Sequence, residues 1–441
     1  MSGQTITEKI LARASGKDRV SPGQTIDAKI NVLMMHDVTS TGAIRLLRKE
    51  FGNRVADGLK VVVTPDHYVP AKDIASAELY KELREFVDEQ RARGVNMPAY
   101  MLEGGDYGVC HVMLPEKGHI IPGQVIVGGD SHTCTYGALG AFSTGVGTTE
   151  AGNVLAAGSL WFRVPETMKI EVSGQMPRRV MAKDLFLRVV GDIGVDGALY
   201  QAMEWTGDTI RRMSMDERMT LTNMAIEAGA KSGIIEPDDI TMQYLRRRGD
   251  GKELGELMRS GWSKVVDLCE GLKSDSDAQY ASVRRVDASR LEPLVAKPHL
   301  PSNVVPASEL ANVKINHAYV GSCTGGKWED FVAAAEVLKG NRVAKGVQLL
   351  VVPSTSDIQR RMIREGLYDT FMDSGAIFSA PTCGACLGGY MGILPPGWTA
   401  ISSTNRNFRG RMGHPDSSVY LASPKTVAAS AIAGHITGAE K

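Results

Sequence analysis

Two cysteines in the run Cys383-Gly384-Ala385-Cys386 have the plainest capacity for chemistry in this sequence. A CxxC pair can be a redox dithiol, half of a zinc site, or two ligands of an iron-sulfur cluster. A zinc ribbon needs a second such pair, and the sequence has none. A thioredoxin-like motif belongs early in a short domain, not near the end of a chain of 441 residues. The remaining thiols are Cys110, Cys134, Cys269 and Cys323. Cys323 is the best third ligand. Its frame, Gly321-Ser322-Cys323-Thr324-Gly325, leaves the backbone free to approach a bulky inorganic group. Cys269 lies in a helical-looking stretch from Val265 to Leu272 and reads as a buried hydrophobe. Three thiolates would hold three irons of a cubane and leave the fourth open to water or substrate. Such an iron is a Lewis acid rather than an electron carrier.

Histidines and arginines extend the set. Five of the nine histidines, His36, His67, His111, His119 and His132, fall within the first 132 residues. Three of them abut an acid or a hydroxyl: His36-Asp37, Asp66-His67 and Ser131-His132. A lone histidine is usually structural, but an imidazole held by a carboxylate or hydroxyl is the usual proton donor near neutral pH. His36 and Ser131 are expected to touch substrate. Near the C-terminus, Arg406, Arg409 and Arg411 crowd the run Ser403-Thr404-Asn405-Arg406-Asn407-Phe408-Arg409-Gly410-Arg411. Guanidinium groups bind carboxylates bidentately, which suits a dicarboxylate; the plain alternative is a charged turn facing solvent.

These residues need a scaffold. The β-branched runs 59–63, 124–127, 318–320 and 348–352 alternate with helical patterns, which predicts an α/β fold with mainly parallel sheets. Each run ends in a polar loop: Thr64-Pro65-Asp66-His67, Gly128-Gly129-Asp130-Ser131-His132, Gly321 to Gly326, and Pro353-Ser354-Thr355-Ser356. Ligands bind at the carboxyl ends of strands in open α/β sheets, so the four loops point to one shared cleft. Thr5-Ile6-Thr7-Glu8 predicts a capped helix that Gly16 ends, and a clearer amphipathic helix is expected from about 75 to 93. The length exceeds one core. Composition shifts near 165 and 285 divide it into three α/β domains, 1–165, 166–285 and 286–441.

Fifty basic residues balance fifty acidic ones and aromatics are only 6%, which speaks against a nucleic-acid or membrane surface as partner. No run of apolar residues is long enough to span a bilayer, and the N-terminus lacks the pattern of a signal peptide, so a cytoplasmic location is expected.

Gly129-Asp130-Ser131-His132-Thr133, Gly321-Ser322-Cys323-Thr324, Cys383-Gly384-Ala385-Cys386 and Ser403-Thr404-Asn405-Arg406-Asn407-Phe408 together resemble the aconitase superfamily, in the right order over nearly the whole chain. The opening Thr5 to Leu11, the segment His36-Asp37-Val38-Thr39 and the run His111 to Glu116 look like its large-subunit branch of isopropylmalate dehydratase and homoaconitase type. The resemblance implies three α/β domains around a central cleft, with one [4Fe-4S] cluster per chain held by Cys323, Cys383 and Cys386 and one iron left open. It makes Asp66 and His67 the paired acid that protonates a departing hydroxyl. His111 with Asp130, and His132 with Glu227, become hydrogen-bonded pairs. Asn223 and Asn405 would lie against the cluster, and Arg406 and Arg411 would grip substrate carboxylate. The substrate would be a small hydroxy-dicarboxylate; homoaconitate, dimethylmalate and citramalate or mesaconate are alternatives within the class. The swivelling domain of single-chain members is absent, so a small subunit carrying it is the expected partner, in a heterodimer or heterotetramer. Two positions depart from the family pattern. Gly325 stands where Asn is usual, and Ser354 or Thr355 where Gly is frequent; both are expected in the cleft. A non-catalytic iron-sulfur carrier or an iron-responsive RNA binder is the rival of another class, disfavoured by three framed cysteines instead of four and by zero net charge.

Overall fold

The computed structural model describes residues 3–248, 266 and 269–439. Its first helix, Ile6–Ala14, begins at the expected capping box. The Thr5 hydroxyl accepts from the Glu8 amide at 3.3 Å, and the Glu8 carboxylate accepts from the Thr5 amide at 2.7 Å. The amphipathic helix runs Ile74–Ala92, capped by Asp73, and buries Leu83, Phe86 and Val87.

All four β-branched runs are strands. Lys60–Val63, Val32–Met35, Val125–Gly128 and Phe142–Gly145 form, in that spatial order, one wholly parallel sheet. A second parallel sheet is ordered Ser282–Asp287, Thr167–Ser173, Ala202–Thr206 and Ser232–Ile235. The third sheet has seven strands, with His317–Gly321 and Gln348–Val352 adjacent in it and parallel. It is parallel apart from the pairings of Leu294–Ala296 with Val304–Pro306 and with Ser418–Ala422. A small antiparallel pair, Thr25–Lys29 with Ser159–Arg163, completes the strands.

The seven-stranded sheet is apolar on both faces, and successive side chains serve different cores. Tyr319, Leu350, Val352 and Ala400 join the core built on the second sheet. Ala318, Val320, Leu349, Val351 and Ile401 join another core together with residues of helices Trp328–Leu338 and Pro424–Ala433. Burying each such aliphatic side chain contributes about 1.5–3 kcal/mol. The middle of the molecule is thereby keyed to the sheet that carries Cys323. Cys269 is buried, as its apolar reading requires; most of the stretch before it lies outside the described residues.

Candidate active site

The loop after Lys60–Val63 carries Asp66 and His67, and an acid from the neighbouring strand shapes it. Asp37 Oδ1 accepts the amides of Asp66 and His67, both at 2.9 Å, and its Oδ2 accepts that of Tyr68 at 2.7 Å. The imidazole then lies between two carboxylates. His67 Nδ1 donates to Asp66 Oδ1 at 2.6 Å, and Nε2 lies 3.4 Å from Asp130 Oδ2. Burial disfavours a charged His67, but Asp66 and then Asp130 outweigh it and raise the imidazolium well above its ordinary range. Burial likewise opposes charge on Asp66, yet His67 pulls its carboxyl below the usual value.

Asp130 gathers three imidazoles. Its Oδ1 accepts from His111 Nε2 at 2.8 Å, its Oδ2 faces His67, and His132 Nδ1 lies 3.4 Å away. Against burial, His111 first and then the other contacts hold Asp130 well below the carboxylate range. His132 Nε2 donates to Glu227 Oε1 at 2.8 Å, and Arg406 Nε donates to both oxygens of Glu227 at 2.8 and 3.0 Å. Acid, imidazole and guanidinium thus form one chain across all three large sheets' loops. The His111 Nδ1 and the Arg411 Nε are buried without a protein partner among the described residues. Orphan polar atoms are costly unless a ligand satisfies them.

The thiols stand beside this chain. Cys323, Cys383 and Cys386 are all buried, and charge on Cys386 pushes up the thiols of both Cys323 and Cys383. Ser322 takes a left-handed φ of 71°, a strained setting for a residue with a side chain. Its hydroxyl donates to Asn405 Oδ1 at 2.9 Å, while Asn405 Nδ2 donates to Cys323 Sγ at 3.4 Å and to Asn223 Oδ1. The Cys383 amide and the Thr382 hydroxyl both donate to the carbonyl of Asp66 at 2.7 Å. Burial pushes the Cys323 thiol up to about 11, so an uncompensated thiolate there is unfavourable. The hydrogen bond from Cys383, then Arg411, holds Cys386 low. Three buried sulfurs, one receiving an amide N–H and one favoured as thiolate, fit a cationic iron-sulfur group.

Not every expected residue joins. His119 is away from the site, bonded to Tyr100, and burial followed by Lys60 and Lys117 pushes it down to about 3. His36 stacks on His67 with centroids 4.2 Å apart. Both its nitrogens are engaged by protein: Nδ1 accepts from the Val38 amide, and Nε2 contacts Thr39 Oγ1 and the Gly129 carbonyl. Burial, then the charge on His67, lowers its basicity, so it backs His67 as a neutral ring. Ser131 opens the short helix Ser131–Leu139 next to Asp130. The fourth loop packs against the Cys323 loop. Ser354 and Thr355 are buried, and Ser354 Oγ donates to the Ser322 carbonyl at 2.9 Å from behind. Gly325 also faces inward, where a Cβ would lie 2.1 Å from Ser403 Oγ. Both departures from the family pattern therefore bear on the packing of the Cys323 loop.

Sequence reasoning missed Asp37 as a clamp and Lys183 altogether. Asp37 had only its place beside His36 to announce it. Lys183 sits in the first turn of helix Ala182–Ile193, where a lysine ordinarily meets solvent.

The model of the Aconitase family (aconitate hydratase) matches residues 8–312 and 305–434. The chain is 48% identical to the 3-isopropylmalate dehydratase large subunit of Acetivibrio thermocellus, over 98% of each chain. It is 50% identical to that of Heliobacterium modesticaldum, again over 98% of each. It is also 48% identical to 3-isopropylmalate dehydratase large subunit 1 of Pyrococcus furiosus, over 100% of this chain and 99% of the other. Among the described residues no helix is long and apolar enough to cross a membrane.

Proposed function

We infer, from the premise that this chain belongs to the aconitase family, that it is the large catalytic subunit of an iron-sulfur hydro-lyase of the 3-isopropylmalate dehydratase kind. Such an enzyme interconverts hydroxy-dicarboxylic acids by reversible loss of water. We take its catalytic unit as three domains, 1–165, 166–285 and 286–441.

The observation that carries the reading is the tie between Asp66 and the CxxC loop. One carbonyl accepts both Cys383 N and Thr382 Oγ1, which puts the candidate acid against the candidate metal ligands. A [4Fe-4S] cluster held by Cys323, Cys383 and Cys386, with its fourth iron left for substrate, would supply Lewis acidity toward a hydroxyl and a carboxylate. His67, kept protonated between Asp66 and Asp130, is the proton donor to the departing hydroxyl oxygen. Arg411, with an unpartnered buried Nε, binds substrate carboxylate, aided by the part of Arg406 not engaged by Glu227. His111 and His132 are held by Asp130 and Glu227 to orient the hydroxyl and water, and Asn223 with Asn405 packs beside the sulfurs.

The base for the carbon-bound proton comes from a small-subunit partner, a reading supported by the relatives' names. It is also supported by exposed Met391, Ile393 and Phe408, which follow closely on Cys386 and Arg406. The test is anaerobic reconstitution with a small subunit and assay against a panel of malate derivatives, reading ultraviolet absorbance of the unsaturated acid. We expect alkene formation with 2- or 3-isopropylmalate. No alkene from any member of the panel overturns the assignment.

A further inference from the structure

Lys183 takes no part in the chemistry above, yet it is 1% exposed and lies directly behind the thiol loops. Its Nζ donates to the carbonyls of Ser403 and Thr404, the latter at 2.7 Å, and to Thr324 Oγ1 at 3.2 Å. Thr324 follows Cys323 and Thr404 precedes Asn405, so one ammonium from the middle domain ties together the two stretches that meet at the Cys323 sulfur. All its acceptors are neutral oxygens. Among the described residues no carboxylate lies within salt-bridge distance of it, whereas its neighbour Lys327 is paired with Asp330 at 2.8 Å. A buried ammonium without a counter-ion is costly, and burial, partly opposed by Asp330, lowers Lys183 to about 7. The other nearby groups whose negative charge would favour the ammonium are Cys323 and Cys386. Three thiolates around a cubane core leave a net negative charge to be offset.

We propose that Lys183 is a positioning residue for the cluster: it pins the Cys323 and Asn405 stretches from behind, and its charge offsets that of the bound group. This rests on the cluster reading above. Lys183→Met keeps the length and bulk while removing charge and donors; Lys183→Gln keeps two donors without the charge. Full-length wild type and both variants are reconstituted anaerobically. Iron and sulfide per chain are counted, cluster loss in air is followed by visible absorbance and by the EPR signal of the three-iron form, and the reductive midpoint potential is measured. Lys183→Met, folded by far-UV circular dichroism, is expected to lose its cluster about 10–100-fold faster than wild type. Lys183→Gln should lose it at an intermediate rate, and both variants should have more negative potentials.

A role confined to packing would lower the melting temperature of the metal-free chain yet leave cluster lifetime and potential unchanged, and that result overturns the proposal. If Lys183→Met fails to fold, Lys183→Gln decides: wild-type lifetime and potential refute, faster loss and a lower potential support. Wild type that takes up no cluster overturns the reading of the site and this inference with it. Wild type that takes one up, with Lys183→Met holding it equally well, overturns the role of Lys183 alone.

Discussion

His67, the proposed proton donor, is flanked by two carboxylates, and that makes its titration the most accessible property of the site. Replacing Asp66 by Asn removes the larger of the two supports and leaves burial, which lowers the imidazole, less opposed. On the proposed role, activity of the reconstituted enzyme requires protonated His67. In Asp66→Asn the alkaline limb of the kcat/KM profile is therefore expected to move down by about 1–2 pH units. At a pH above the displaced limb, turnover should fall by up to about 10–100-fold, tenfold for each unit by which the limb moves. An alkaline limb unmoved by the substitution would remove His67 from the role of acid. The same pair affects stability with opposite signs. His67, raised, contributes fully below its unfolded value of 6.5, and the contribution fades as pH climbs through the folded value. Asp66 and Asp130, lowered, contribute above their unfolded 3.8 and lose that contribution as pH falls through their folded values. At this scale the local pair Asp66-His67 was legible in the sequence, whereas the ring of His132 is held by Glu227 and faces Asp130. Glu227 was visible only through family resemblance, because its partners are 95 and 179 positions away in the chain.

The Cys323 loop shows how one element depends on the absence of side-chain atoms. Gly325 sits where a Cβ would press on Ser403 at 2.1–2.4 Å, and Ser403 Oγ is itself held between the amide and carbonyl of Gly321. Gly325→Ala is expected to cost about 1–3 kcal/mol in urea unfolding of the metal-free chain. Ser403→Gly in the same chain should recover part of that loss, because the two sites are in contact. Additive losses in the double variant would place the strain elsewhere. The strands that end in such loops were readable from β-branched composition, and the first helix from its capping box, since both signals are local. What the fourth loop does was not readable. Pro353 to Ser356 has the polar composition of a cleft loop, and its hydroxyls bond protein: Ser354 to the Ser322 carbonyl, Thr355 as cap of the helix Ser356–Arg364, and Ser356 to the Tyr107 amide.

Across the whole molecule, the contacts that assemble the site are also those that join its sheets: Cys383 to Asp66, Asn405 to Asn223, Arg406 to Glu227 and Lys183 to Thr404. These are protein-to-protein bonds, so the chamber has support without metal. Stripping iron by oxidation and chelation is expected to leave the far-UV spectrum unchanged. Thermal melting of the stripped chain should fall below that of the loaded one, because a group bound only by the folded state adds to its stability. Collapse of the helical signal on chelation would show that the metal organises the fold. The Asp66 carbonyl and Thr382 are separated by 316 positions. At ribosomal speeds of about 5–20 residues per second, the front half of the site waits roughly 15–65 s for its counterpart to be synthesised. During that interval a cell carries nascent polypeptides whose acid exists and whose thiol pair does not, so a cluster held by the proposed ligands could not be completed until Cys386 has been made.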